Sequence, residues 1–386
     1  MKFLQSSFLI LIVLISFSSC QSSNGSKNEN SNYRIIGYVA GYRDFDFTKI
    51  DASKLTHINF AFANIIDGKV QFDSTPIDGK VLSEKDIQAL SKLKKTNPEL
   101  KILVSVGGWL WSGRFSDAAL TENSREIFAQ SVADFVDRYK LDGLDIDWEY
   151  PNQTGAGNIY REEDIGNFTL LMKACREKLD QLAEKNKKKE GYLLTIASGA
   201  DSTYIQNTNL GEVQKYLDFI NIMAYDFYNG LHNTSGHHAN LQESKTSHSG
   251  DISVIKSVQL HLDAGVPLKK LNIGIPFYGR KWDGVNPEQN GLYQQAGSTG
   301  QIIYYRKIKQ NIFNNNKYTR YWDEDAVAPY LWNSTDSIFI SYEDVESIKI
   351  KTDYVKKSGL GGMMFWEYTD NPEGELLEAI YEGLYQ

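Results

Sequence analysis

Short apolar runs recur along the chain, and each is followed by a stretch with helical periodicity. The runs are Arg34–Tyr38, His57–Ala63, Lys101–Val106, Gly143–Trp148, Tyr192–Ser198, Phe219–Ala224, Leu271–Pro276 and Gly362–Trp366. Several, such as KILVSV, YLLTIAS and FINIMA, are almost continuously apolar. That is the pattern of parallel strands covered on both faces. Helical patterns such as Ser124–Tyr139 and Ile165–Glu184 lie between them. Eight βα units predict an α/β fold, a (β/α)8 TIM barrel. One interval breaks the rhythm. About 80 residues separate the seventh and eighth runs, where a βα unit needs ~30. The surplus, residues 282–341, is rich in Tyr, Asn and Gln and carries the strand-like runs QIIYY and SIFIS. It predicts a small α+β insertion domain between strands 7 and 8, followed by a helix at Tyr342–Ser358. The barrel is then assembled from residues 33–281 and 342–386.

The N-terminus has a different character. Lys2 precedes an apolar run, Phe8 to Phe17, and Ser18, Ser19 and Cys20 follow. A bilayer span needs ~20 apolar residues, so the run is too short to be one. Residues 1–20 therefore read as a cleaved signal peptide. A cysteine directly after two serines resembles a bacterial lipobox, with Phe17 where Leu is usual. On that reading Cys20 is the lipidated first residue of the mature chain. The alternative is a plain secretory peptide cleaved near Ser19, with Cys20 a free thiol. Residues 21–32 are polar and aperiodic, a flexible linker. The expectation is an exported lipoprotein, held at a membrane through that lipid alone, at the cell surface or in the periplasm.

Composition narrows the function classes. The 386 residues carry a net charge of −8, a poor match for phosphate backbones, so no nucleic-acid partner is expected. Only two cysteines are present, Cys20 and Cys175, which excludes a disulfide framework. Cys175 lies in an amphipathic helical pattern and reads as a buried, inert thiol. His232, His237, His238 and His248 share one polar loop, but without metal-ligand spacing. No metal and no cofactor are expected, and a monomer is the default.

The chemical signal lies in the fourth run, where residues 141–150 read LDGLDIDWEY. Alternate residues of a strand share a face. Asp145, Asp147 and Glu149 therefore point one way, and Leu144, Ile146 and Trp148 the other. Three carboxylates ~7 Å apart along a barrel interior cannot all ionise. At least one retains its proton, which is what a general acid needs near neutral pH. Glu149, at the C-terminal end of the strand, is the candidate donor, and Asp147 the neighbour that tunes it. Calcium loops also use D-x-D spacing, but they need a flexible loop and a glycine at a fixed offset. Here the intervening residues are bulky and apolar. Asp142 falls on the opposite parity and reads as structural.

DGLDIDWEY resembles the D-x-x-D-x-D-x-E signature of family 18 glycoside hydrolases, the chitinase family. SVGGW at Ser105–Trp109, MAYD at Met223–Asp226, YGR at Tyr278–Arg280 and GGMMFWEYTD around Trp366 resemble further motifs of that family, in order. The resemblance runs from about Tyr33 to Leu384, and the segment GAGNIYREEDIGNFTLLM is similar to secreted bacterial chitinases. It implies a retaining mechanism in which the substrate's 2-acetamido oxygen, and no second carboxylate, attacks the anomeric carbon. Glu149 would then be acid and base. Asp147 would orient the acetamido N–H, and Asp145 would share a proton with Asp147. Tyr225 would donate to the acetamido oxygen, and Asp226 would hold the sugar. The implied sugar-binding set has Met223 under the acetamido methyl and Trp366 as the floor. Tyr38, Phe62, Trp109, Tyr278 and Arg280 would be walls. Gly107, Gly108, Tyr150 and Ala224 complete it from the same motifs.

The implied partner is chitin or another GlcNAc-containing oligosaccharide. Two other functions stay open at this point. One is an endo-β-N-acetylglucosaminidase acting on N-glycan chitobiose cores or peptidoglycan. The other is a GlcNAc-binding lectin, against which the presence of Glu149, Asp147 and Tyr225 argues.

Overall fold

The computed structural model describes residues 33–77, 80–247 and 252–386. The signal, linker and Cys20 readings, and His248, fall outside the described residues. Fourteen strands are present among the described residues: β1 Arg34–Ala40, β2 His57–Ile66, β3 Lys69–Gln71, β4 Lys101–Gly107, β5 Gly143–Asp147, β6 Leu193–Ser198, β7 Phe219–Ile222, β8 Leu271–Pro276, β9 Tyr278–Asp283, β10 Gln301–Tyr304, β11 Thr319–Asp323, β12 Ala328–Asn333, β13 Ile338–Ser341 and β14 Gly362–Trp366. Eight of them pair in parallel, in the order β1-β14-β8-β7-β6-β5-β4-β2, and β1 pairs with β2 to close the cylinder. This is the (β/α)8 barrel that the alternation predicted.

The physical reason is burial on both sides. Outward-facing residues such as Val104, Leu144, Ile146, Ile196, Ile220 and Ile275 are fully buried under the surrounding helices. The barrel interior holds its own cluster, including Ile36, Tyr38, Ala61, Phe62, Phe219 and Met364. It is a packed core and not a pore. Helices start where their caps dictate. The helix between β4 and β5 runs Glu122–Tyr139 and begins before Ser124, because Thr121 accepts the Ser124 N–H at 3.0 Å. The helix expected at Tyr342 begins at Val345, since Asp344 accepts the Ser347 N–H at 3.0 Å. Such caps satisfy donors that the helix itself cannot.

The second sheet is antiparallel, in the order β10-β9-β13-β12-β11. It starts at Tyr278, with only Phe277 between it and β8. Its core is aromatic: Trp282, Tyr330, Trp332 and Phe339 pack with Tyr228 from the loop after β7. The Trp282 indole N–H donates to the His232 carbonyl of that loop at 2.9 Å. This packing fixes β9 beside the C-terminal end of β7, where barrel sites form. No helix among the described residues is long and apolar enough to cross a membrane.

Candidate active site

The alternation along β5 is held by packing. Leu144, Ile146 and Trp148 are sunk in the helix-facing core, with the Trp148 ring stacked on Phe115 at 5.3 Å and edge-on to Phe168 at 5.6 Å. Asp145, Asp147 and Glu149 take the other face, and all three are buried. A one-residue slip of the strand would exchange the two sets, so the large apolar side chains lock the acids in place.

The three carboxylates meet different surroundings. Asp145 is fully buried and accepts three hydroxyl donors: Tyr38 at 2.8 Å, Ser105 at 2.8 Å and Thr195 at 2.6 Å. Burial raises its carboxyl above the usual range, and the three hydroxyls oppose that rise. The Oδ1 atom of Asp147 is buried and has no hydrogen-bond partner among the described residues. Burial, then the charges of Glu149 and Asp145, push its carboxyl well above the usual range. Glu149 is raised to about 7, mainly by burial, with hydrogen bonding from Tyr150 opposing the rise and the Asp226 charge adding to it. Of the three, therefore, Asp145 has the most hydrogen bonds to its charged form, Asp147 is pushed toward its protonated form, and Glu149 titrates near neutrality.

The facing wall comes from β7 and β9. Met223 and Tyr225 join the interior cluster at its upper edge. Burial, then the charges of Asp147, Glu149, Asp226 and Asp145, raise the Tyr225 hydroxyl well above its ordinary value, so it remains a donor. Asp226 adopts a left-handed φ of 62° and meets Arg280 in a two-point fork, Nε to Oδ1 at 2.8 Å and Nη2 to Oδ2 at 2.6 Å. Burial alone would raise Asp226; His238 and the Arg280 guanidinium outweigh it and hold the carboxyl at about 2. Tyr278, two residues before Arg280 on β9, packs edge-on to Tyr225 at 6.1 Å.

The floor is aromatic. Trp366 is half-buried and stacks on Phe62 at 5.5 Å and 19°, with Tyr38 beside it at 5.7 Å. Trp109, on the turn after β4, is 51% exposed. The two glycines before it are required by close approach. A Cβ on Gly107 (φ 103°) would lie 2.3 Å from the Asp147 carbonyl oxygen, and one on Gly108 (φ 72°) 2.5 Å from the Phe62 ring. Neither position tolerates a side chain. The structure does not bring Ala224 to this cleft. Its parity is opposite to Met223 and Tyr225, and it is fully buried in the helix-facing core. Asp142 lies outside the cleft as well, where it accepts from Lys94, from Lys188 at 3.1 Å and from the Ile102 N–H at 2.8 Å.

Residues 34–371 match the sequence profile of Glycosyl hydrolases family 18. The chain belongs to glycosyl hydrolase family 18. Among curated relatives it is similar to Chitinase A1 of Niallia circulans, with 40% identity over 99% of this chain and 62% of that protein. The chain thus spans less than two thirds of that relative's length. It is also similar to Chitinase 1 of Aphanocladium album, 30% identical over 92% of this chain and 84% of that one. Among solved structures it is similar to a family 18 N-acetylglucosaminidase from Paenibacillus barengoltzii, with a TM-score of 0.84, 43% identity, and coverage of 92% of this chain and all of that one.

Three features of this family 18 site have no signal in the sequence pattern. Ser112 bonds the backbone of Asp147 and Glu149 from the turn after β4. Tyr150 hydrogen-bonds the Glu149 carboxyl while its ring packs against the helix-facing core. Behind Trp366, Glu367 and Asp370 form a buried carboxyl pair faced by Arg43, whose guanidinium lies 3.6 Å from Glu367 and 4.6 Å above the Tyr304 ring. The loop histidines have separate partners. His237 faces Asp323 at 3.2 Å, His238 faces Asp226 at 3.6 Å, and His232 lies against Asn229. Among the described residues no three potential metal ligands gather at one point.

Proposed function

We propose that the protein is a chitinase, cleaving β-1,4 bonds in chitin or its oligomers with retention at the anomeric carbon. One observation carries this reading: of the four carboxyls at the site, Asp145 and Asp226 are each held by several donors, Glu149 meets Tyr150, and Asp147 keeps a buried oxygen unpartnered. Asp145 is engaged by three hydroxyls and Asp226 by the Arg280 fork. A retaining enzyme with a carboxylate nucleophile needs a second, ionised carboxyl at the anomeric carbon. Asp147 is pushed toward its protonated form and is a poor nucleophile. The substrate's acetamido oxygen fills that role instead. Glu149, protonated at and below about pH 7, gives its proton to the leaving oxygen. The acetamido oxygen closes on the anomeric carbon as the glycosidic bond breaks. Asp147 turns its unpartnered oxygen to the acetamido N–H, and the Tyr225 hydroxyl steadies the acetamido oxygen. Glu149, now ionised, takes a proton from the water that reopens the ring. Trp366 supplies the stacking face, and Asp226 with Arg280 the polar side.

The names of Chitinase A1 and Chitinase 1 support the substrate class. The Paenibacillus N-acetylglucosaminidase favours a second reading, release of single GlcNAc units from chain ends. Incubation of chain lacking residues 1–20 with N-acetylchitohexaose, and in parallel with a high-mannose glycopeptide, separates these readings by mass spectrometry. Chitobiose or chitotriose, absent with Glu149→Gln, is the expected result. GlcNAc alone moves the protein to the second reading. Cleavage of the glycopeptide alone, or near-normal turnover by Glu149→Gln, overturns the proposal. On the sequence alone we also propose export and lipidation at Cys20. Loss of labelled fatty acid in Cys20→Ala is the expected outcome, and unchanged labelling refutes it.

A further inference from the structure

We infer that Ser112 is a positioning residue for catalysis, and that its hydroxyl sets where Glu149 stands through the backbone and not through the carboxyl. The inference rests on Glu149 being the acid, as proposed above.

The argument begins with the end of the sheet. On the β4 side the ladder of β5 continues to Gly107 opposite Asp147, but on the β6 side it stops at Ile146 opposite Ile196. Residues 148 and 149 thus run past the regular pairing on both sides, just where the acid must be fixed. An unpaired N–H buried at this depth is costly. Ser112, 1% exposed, takes its place as partner. Its Oγ accepts the Glu149 N–H at 2.8 Å and lies 3.0 Å from the Asp147 carbonyl oxygen. The same Oγ lies 2.9 Å from the Gly108 carbonyl oxygen. A hydroxyl has one proton, so it donates to one of these carbonyls at a time while accepting from Glu149 throughout.

A second, independent contact closes on the same peptide. The Gly107 Cα packs so tightly on the Asp147 carbonyl that a Cβ there would lie 2.3 Å from it. The backbone between the two acids is therefore gripped by Gly107 on one side and Ser112 on another. Ser112 also ends the turn Gly108–Trp111, which carries the exposed Trp109. One side chain thereby joins the segment that holds the acid to the segment that presents an aromatic face to the cleft. Because Ser112 is buried and bonds backbone atoms alone, it acts through Glu149.

Removing the hydroxyl leaves the Glu149 N–H unpartnered and frees the end of β5. Glu149 then samples positions that are misaligned and more solvated. Misalignment lowers kcat, and solvation lowers the carboxyl pKa. Ser112→Ala should lose at least about tenfold in kcat on N-acetylchitohexaose, with KM changed by less than about twofold. The alkaline limb of its kcat/KM profile should move to lower pH. Ser112→Thr, which keeps the hydroxyl, should recover most of the rate and return that limb. If Ser112→Ala does not fold, Ser112→Cys, close in size with a weak donor, replaces it in the comparison. A folded deletion variant with parental kcat and an unmoved alkaline limb overturns the inference. So does a rate loss that the threonine variant shares while its limb stays parental, since that pattern reports packing alone. Failure of the functional reading itself is separable, because the parent protein would then not turn over the hexamer and Glu149→Gln would not differ from it.

Discussion

Tyr38→Phe isolates one hydrogen bond at the base of the acid triad. The Tyr38 hydroxyl donates to Asp145 Oδ2 at 2.8 Å, and the ring is 2% exposed, so the variant loses an oxygen and little else. Asp145 is completely buried, and its hydroxyl partners are what keep its charged form accessible. A hydrogen bond to a charged group is worth about 1.5–3 kcal/mol, or about 1–2 pH units of proton affinity. Ser105 donates to the same oxygen and Thr195 to the other, so the lower half of that range is expected. The sign follows from the resting state. Asp147 is pushed toward its protonated form and Glu149 is protonated below about 7, so further acidification adds a proton to Asp145. Losing a donor raises the affinity of Asp145 for that proton, and the acid limb of kcat/KM moves up by about one pH unit. The alkaline limb belongs to Glu149 and stays near 7. The optimum therefore narrows from the acid side alone. Activity on the acid side of the optimum should fall by up to about tenfold, and at pH 7 by less. The assay is kcat/KM on N-acetylchitohexaose from pH 4 to pH 9, with Tm measured in parallel. An acid limb that stays in place in a folded variant, or two limbs that shift together, refutes the assignment of proton affinities within the triad.

Arg280→Lys keeps the charge beside Asp226 but cannot reproduce the two-point fork at 2.8 and 2.6 Å. We expect kcat/KM to fall by about tenfold, ~1.4 kcal/mol, with Tm within about 2 °C of the parent; unchanged kcat/KM would show that the fork does not position Asp226. Asp370 is raised to about 8 by burial and then by Glu367, against Arg43 and Arg306. Its folded pKa exceeds its unfolded value, so its stabilising contribution is full below about pH 4 and is lost as pH rises toward 8. Asp370→Asn should accordingly reduce the loss of stability between pH 5 and pH 8 by an amount on the order of 3 kcal/mol, read as a smaller drop in Tm. Parallel Tm profiles for parent and variant would remove the pair behind Trp366 from the pH response.

Why the strands were readable and parts of the site were not has a physical explanation. A parallel strand covered on both faces must be apolar along its length, and KILVSV or FINIMA carry that demand openly. β2 runs on to Ile66, past the expected Ala63, because Asp67 and Gly68 (φ 50° and 73°) turn it into a hairpin with β3. The Asp-Gly pair was a legible turn signal. β9 was less legible, since it follows β8 after one residue with no turn residue between. Parity along β5 showed which acids share a face, because strand geometry depends on neighbours alone. It could not show which acid keeps its proton. That depends on donors 107, 40 and 50 residues away, Tyr38, Ser105 and Thr195, which the closed barrel brings to Asp145 and not to Asp147. Ser112, 37 residues from Glu149, has no periodic signature either, since a hydroxyl ending a short turn is ordinary in sequence. The two kinds of information do different work. The strand motif lines up three equivalent-looking carboxyls, and the barrel makes them unequal by supplying hydroxyls to the deepest one. The order of proton affinities is therefore a property of β1, β4 and β6 as much as of β5. A chain with an intact motif but altered positions 38, 105 or 195 would keep the acids and lose the ordering that makes Glu149 a proton donor near pH 7.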